Sequence, residues 1–197
     1  MDNQLVTGSL GDDGLVTRRA VLGGLVTVAL TPTLIAGAVS AQADGHGRNA
    51  GVVMSPIGLP MPRAFHTVTA LHDRRLLVAG GLGPGDRSMS SVLIYDIERE
   101  IWTDAASMNM ARYQHAAIRL ADGRVLVTGG LNRPANPMFG AEIYSPRSNT
   151  WSAAPALLMA RYGHTLSALE DGRVLVAGGI LAGPLSSMEI YSTGGED

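Results

Sequence analysis

A chain of 197 residues with 46% apolar side chains is long enough to bury the core of one ordinary domain. Its 15 basic residues, all Arg, stand against 17 acidic ones, and no basic cluster follows the N-terminal segment, which argues against a nucleic-acid partner. There is no cysteine, so a disulfide framework and a thiolate metal site are both excluded.

The first 43 residues read as an address. A polar segment ends in Thr17-Arg18-Arg19, and an apolar run from Ala20 continues to about Val39, diluted by Gly23, Gly24, Thr27 and Pro32. Val39-Ser40-Ala41 and Ala41-Gln42-Ala43 both offer the small-x-small pattern of a cleavage site. The order Thr-Arg-Arg-Ala-Val-Leu resembles a twin-arginine export signal, which implies passage of a folded protein to the periplasm or the exterior, with cleavage after Ala41 or Ala43. The alternatives are a Sec signal that happens to carry two arginines, or a retained anchor, since the run is about long enough to cross a bilayer. Residues 44–52 are a linker.

Beyond it the chain repeats. Arg63, Arg112 and Arg161 stand 49 residues apart, as do His66, His115 and His164 and the pairs Gly80-Gly81, Gly129-Gly130 and Gly178-Gly179. Trp102 and Trp151 keep that period, and Tyr95, Tyr144 and Tyr191 follow it closely. A fixed period near 50 residues signals a repeat architecture. The registers run over about 63–111, 112–160 and 161–197 within a repeat region of 53–197.

In the middle unit His115–Leu120 and Arg124–Thr128 are short β-prone runs joined through Asp122-Gly123, a hairpin signal because glycine tolerates the positive φ of a tight turn. The third unit has Asp171-Gly172. The first has Asp73-Arg74, which predicts a turn that is slightly strained or of another type. After the diglycine come a loop of variable length and a third strand, at Val92–Tyr95, Ala141–Tyr144 or Met188–Tyr191. A turn such as Ser145–Asn149 then leads to a fourth strand at Trp151. Four antiparallel strands per period make one propeller blade, and helical periodicity is absent outside the leader. The predicted class is all-β.

The diglycine, the Tyr before a turn, the Trp six or seven residues later, and Met-x-x-x-Arg or Met-x-Arg leading into His together resemble the Kelch repeat over about residues 53 to 192. That resemblance implies a β-propeller, usually of five to seven blades, serving most often as a rigid binding platform and in a minority of cases as an enzyme such as galactose oxidase or a sialic acid mutarotase. Two departures stand out: unit one lacks the turn glycine, and unit three stops before its Trp. Residues 53–62 take the register of Trp102 onward, as a stray fourth strand. The sum is three blade equivalents, too few to close a ring alone, since propellers have roughly four to eight blades. Either two copies pair as a homodimer with six blades, or the chain is a piece of a longer propeller.

The recurrent His66, His115 and His164 raise a metal hypothesis, but recurrence in every blade favours a repeated structural hydrogen bond, and no metal or cofactor is expected. Arg63, Arg112 and Arg161 form either a ring at the channel mouth that grips an acidic ligand or ties within the framework, the second being preferred. Glu142 and Glu189 share a register that Leu93 takes in unit one, and nothing in the spacing makes them an acid–base pair. The copper radical of galactose oxidase needs a cysteine that this chain lacks; a mutarotase-like activity rests on fold analogy alone. Binding specificity is expected in the loops that do not repeat, with Arg87, Asn132, Arg133, Asn136, Met138 and Phe139 as candidate contacts. The favoured reading is an exported, non-catalytic module that presents these loops to a protein or glycan. An extracytoplasmic carbohydrate-active enzyme and a fragment without function of its own are the alternatives.

Overall fold

Runs of four or five β-prone residues punctuated by tight turns can satisfy their backbone only by pairing with the neighbouring run, and they do so throughout. In the computed structural model the described residues are 57–132 and 135–192, all within one unit, Val52–Asp197. The expected signal and linker lie outside the described residues, as does the start of the stray fourth strand; its described part, 57–62, is irregular. Among the described residues no helix is long and apolar enough to cross a membrane.

The first blade is built from β1 (Thr67–Ala70), β2 (Arg75–Ala79), a small ribbon of β3 (Leu82–Gly83) and β4 (Arg87–Ser88), then β5 (Val92–Asp96) and β6 (Ile101–Ala105). The second repeats it with β7 (Ala116–Arg119), β8 (Val125–Thr128), the ribbon β9 (Leu131–Asn132) and β10 (Asn136–Pro137), β11 (Ala141–Ser145) and β12 (Thr150–Ala154). The third has β13 (Thr165–Ala168), β14 (Val174–Ala177) and β15 (Met188–Tyr191). The sheets are antiparallel, in the orders β1-β2-β5-β6, β7-β8-β11-β12 and β13-β14-β15. The all-β, blade-by-blade architecture read from the sequence is the one observed. In the first hairpin Asp73 (φ 63°) and Arg74 (φ 56°) both take the left-handed conformation without a glycine, the strain expected there.

Alternation along each strand decides which blade a side chain faces. Leu77, Ala79 and Val92 of the first blade meet Val125, Val127 and Tyr144 of the second in one buried cluster. Leu126, Ala141 and Ile143 meet Val174, Val176 and Tyr191 in the next. Each fully buried aliphatic side chain contributes about 1.5–3 kcal/mol, so the two inter-blade seams are the main apolar store of the fold. Tyr95 lies opposite Trp102 and Tyr144 opposite Trp151, with ring centroids 4.7 and 5.1 Å apart. β1 packs beside β7 and β7 beside β13, which makes the first strands the innermost.

The second glycine of each pair brings two segments into contact. At Gly130 (φ 97°) a Cβ would lie 2.8 Å from both the Tyr113 carbonyl oxygen and the His115 Cβ, whereas at Gly172 (φ 80°) it would meet nothing within 4 Å. Gly130→Ala is therefore expected to cost about 2–5 kcal/mol, from the left-handed backbone and the overpacking together, and Gly172→Ala only about 1–2 kcal/mol. Urea unfolding of the two variants checks the order.

Candidate functional site: the loop face and its mouth

The arginines are the most deeply placed charges. Arg112 is fully buried; its Nη1 donates to the carbonyls of Gly129 (3.0 Å) and Gly140 (2.9 Å), and its Nη2 to Glu142 Oε1 (2.8 Å). Arg161 is equally buried and donates to the carbonyls of Gly178 (2.8 Å) and Ser187 (3.2 Å), to Ser187 Oγ (3.1 Å) and to Glu189 Oε1 (2.6 Å). Arg63 makes the backbone half of the same pattern, to Gly80 and Ser91, but Leu93 stands where the carboxylate would be. Burial lowers the pKa of the Arg112 guanidinium, and the Glu142 carboxylate opposes that shift. Glu142 in turn accepts the backbone N–H groups of Asn109 (2.7 Å) and Met110 (3.2 Å), and Glu189 those of Leu158 (2.8 Å) and Met159 (3.2 Å). Each ion pair thus folds the connector between blades around itself. Neither buried guanidinium is presented to a ligand.

The histidines tie blade to blade. His115 Nε2 and Thr67 Oγ1 share a hydrogen bond of 2.9 Å, and His164 Nε2 and Thr128 Oγ1 one of 2.8 Å. Burial first, and the neighbouring Arg112 second, push the His115 imidazole down to about 3; burial and then Arg161 push His164 down to about 4. Both rings are therefore neutral at pH 7. His66 has no preceding blade to reach among the described residues and is half-buried. Among the described residues no three His, Asp or Glu side chains gather as metal ligands would.

The variable loops share one side of the blades. Ala64, Tyr113 and Tyr162, which enter the first strands, bridge Leu82, Leu131 and Ile180, which open the loops, and Ser88 Oγ donates to Asn132 Oδ1 (2.9 Å) across two loops. Arg87 and Asn136 are exposed, Phe139 is 58% exposed and Asn132 is half-buried. Arg133 lies outside the described residues. Met138 is a correction: only 7% exposed, it is tucked under its loop, with its N–H on the Gly130 carbonyl and its own carbonyl on the Arg161 N–H. Its side chain is held inside, so it cannot serve as a surface contact.

On this same side the bends between Arg and His line a shallow hollow of about 280 Å³, with Phe65, His66, Gln114, Tyr162 and Ile180 on its walls. The bend residues Phe65 (φ 56°), Gln114 (φ 52°) and Gly163 (φ 63°) all take the left-handed conformation. They are stitched across the blades, Gln114 N–H to the Phe65 carbonyl (2.9 Å) and Gly163 N–H to the Gln114 carbonyl (2.9 Å). Phe65 is 54% exposed, and its ring lies 6.4 Å from that of Tyr113. A larger hollow lies at the opposite end between the first two hairpins, but Arg75 and Arg124 there are occupied by Asp73 (2.9 Å) and Asp122 (2.6 Å). The mouth between the bends is the better candidate, because its polar and aromatic groups are not already paired in that way.

Two stretches, residues 62–109 and 112–158, match the Kelch motif. These two units are Kelch repeats. No curated protein matches the chain closely enough to count as a relative. The third unit repeats the Arg, His and diglycine contacts of the two matched spans within the same fold. What the sequence reading passed over is the single residue before each recurrent His, at Phe65, Gln114 and Gly163. The signal was available: it is a position that changes its chemistry in every copy between an Arg and a His that never change.

The Kelch framework makes two predictions. Glu142→Gln leaves the buried Arg112 charge unanswered and is expected to destabilise the fold by about 3–5 kcal/mol in chemical denaturation. The histidines set a pH dependence. Between their ordinary value of 6.5 and the folded values near 4 and 3, the unfolded chain binds protons that the folded rings refuse. Stability is therefore full above pH 6.5 and falls as pH drops through that window. Thermal melts from pH 7.5 to 4.5 should show the loss, and the double variant His115→Gln/His164→Gln should flatten the slope between pH 6.5 and 5.

Proposed function

We propose that this chain is an exported Kelch-repeat binding module, which uses the mouth of its loop face to hold a protein segment or a glycan and carries out no chemistry on it. The observation that carries this reading is the backbone of Phe65 and Gln114. A non-glycine residue held in the left-handed region costs roughly 1–2 kcal/mol, and Gly163 supplies the cheaper solution at the same bend one blade on. Keeping an aromatic ring and an amide there against that cost makes sense if the side chains are used. An exposed Phe beside a Tyr gives apolar area for stacking, and Gln114 adds donors and acceptors. Arg87, Asn132, Asn136 and Phe139 on the neighbouring loops extend the same surface, and a rigid frame loses little ordering entropy on contact. The Thr17-Arg18-Arg19 leader supports action outside the cytoplasm.

An extracytoplasmic sugar enzyme working at this mouth would have to act without Arg112, Arg161, His115 and His164, which are buried in hydrogen bonds. The binding reading predicts a separation of stability from function. Phe65→Gly and Gln114→Gly should leave the melting temperature unchanged or raised, while abolishing whatever ligand the wild type retains in parallel glycan-array and peptide-array screens. A ligand bound equally well by both variants would place the site elsewhere. His115→Ala should instead cost about 1–3 kcal/mol of stability by leaving Thr67 unpaired.

A further inference from the structure

The seams between blades follow one recipe. Where blade 1 meets blade 2, the Thr67 hydroxyl meets His115, the carbonyls of Phe65 and Met89 accept from Gln114 and Arg112, and the Gly81 N–H donates to the Arg112 carbonyl. Where blade 2 meets blade 3, Thr128 meets His164, the carbonyls of Gln114 and Met138 accept from Gly163 and Arg161, and the Gly130 N–H donates to the Arg161 carbonyl. The hydroxyl comes from different strands in the two seams, yet from one place. Thr67 is paired across the sheet with Ala79, and Ala116 with Thr128, so one Thr and one Ala stand opposite each other and either can hold the hydroxyl.

Blade 3 has the same pair, Thr165 opposite Ala177, and Thr165 is exposed. Its forward face carries the rest of the recipe with nothing to receive it among the described residues. Met188 and Ile190 are 67% and 52% exposed, where their register mates Ala141 and Ile143 are buried at 4% and 6% in the seam. The backward face of blade 1 carries the other half: His66 without a hydroxyl, the N–H groups of Arg63 and Phe65 without acceptors among the described residues, and Val68 exposed while Val78 is already covered. The two faces are therefore the two sides of a seam that the chain already makes twice.

We propose that the forward face of blade 3 docks on the backward face of blade 1 in a second copy of this chain, with Thr165 meeting His66 of that copy. The contact is head to tail, so a ring of two copies forms both seams at once and closes six blades. Continuity with the two existing seams is what selects a second copy over an unrelated partner, since His66 and Thr165 complete a pairing that this chain itself encodes.

The test is sedimentation equilibrium of the full chain. The expected species has twice the chain mass of 20.5 kDa; a monomer, or an open polymer, overturns the proposal. Thr165→Val removes two hydrogen bonds from the closed ring and should weaken the dimer by about 10- to 100-fold, with circular dichroism unchanged because Thr165 is on the surface. The double variant Thr165→Ala/Ala177→Thr moves the hydroxyl across the sheet as blade 2 does, and it should restore the wild-type affinity. A dimer indifferent to Thr165→Val and to Met188→Glu would be assembled by another surface, which also overturns the proposal. Failure here leaves the ligand reading intact, because that reading is tested at Phe65 and Gln114.

Discussion

A guanidinium cannot shed its charge at any pH the protein meets, so burying one obliges the chain to bring acceptors to it. Arg112 makes that demand on three segments at once: the carbonyls on either side of the variable loop, at Gly129 and Gly140, and the Glu142 carboxylate on the next strand. Glu142 then holds the connector that delivers Arg112. The route of the chain between blades is closed on itself by this loop of hydrogen bonds. Buried ion pairs add little net stability over apolar packing, but they allow few alternative arrangements. Here the pair is best understood as fixing where the connector crosses, and the diglycine is required because that crossing leaves no room for a Cβ beside it.

Once the connector is fixed, the His three residues after the Arg has only one place to go. His115 and His164 reach back to the preceding blade and find a hydroxyl there. The ring must be neutral to sit in that buried seam, and burial keeps it so. The framework is thus a chain of consequences, from charge to connector to seam. Blade 1 shows what a weaker link looks like: Leu93 replaces the carboxylate, and among the described residues Arg63 keeps backbone and hydroxyl partners.

This chain of consequences explains what could be read from residues alone. The blade, its strands, the turns and the structural role of Arg and His were legible because each is a local rule repeated at one period. The pairing of Arg112 with Glu142 was not, because it joins residues 30 apart through a fold not yet known. Thr67 and Thr128 were invisible for a sharper reason: they occupy different columns of the repeat, and only the strand register shows that they face the same point. Met138 was misread as a contact because an apolar residue in a loop looks the same from sequence whether the loop exposes it or folds over it; its burial comes from the backbone hydrogen bonds on both sides. The N-terminal address lies outside the described residues and stays a reading of the sequence.

Function should be sought where the repeat declines to repeat. At framework positions every blade has the same task, so the same residue recurs. The bend before each His is different, because all three blades impose the same left-handed backbone there and only blade 3 answers it with glycine. Phe65 and Gln114 meet the same geometric demand with side chains that make it harder to satisfy, and neither side chain completes the Arg or His network that holds the blades. A strained residue kept at a solvent-facing bend, surrounded by a frame able to hold it, is what a preorganised contact requires. The rigidity that the buried arginines impose is then what lets the mouth carry that strain, and the two features belong to one design.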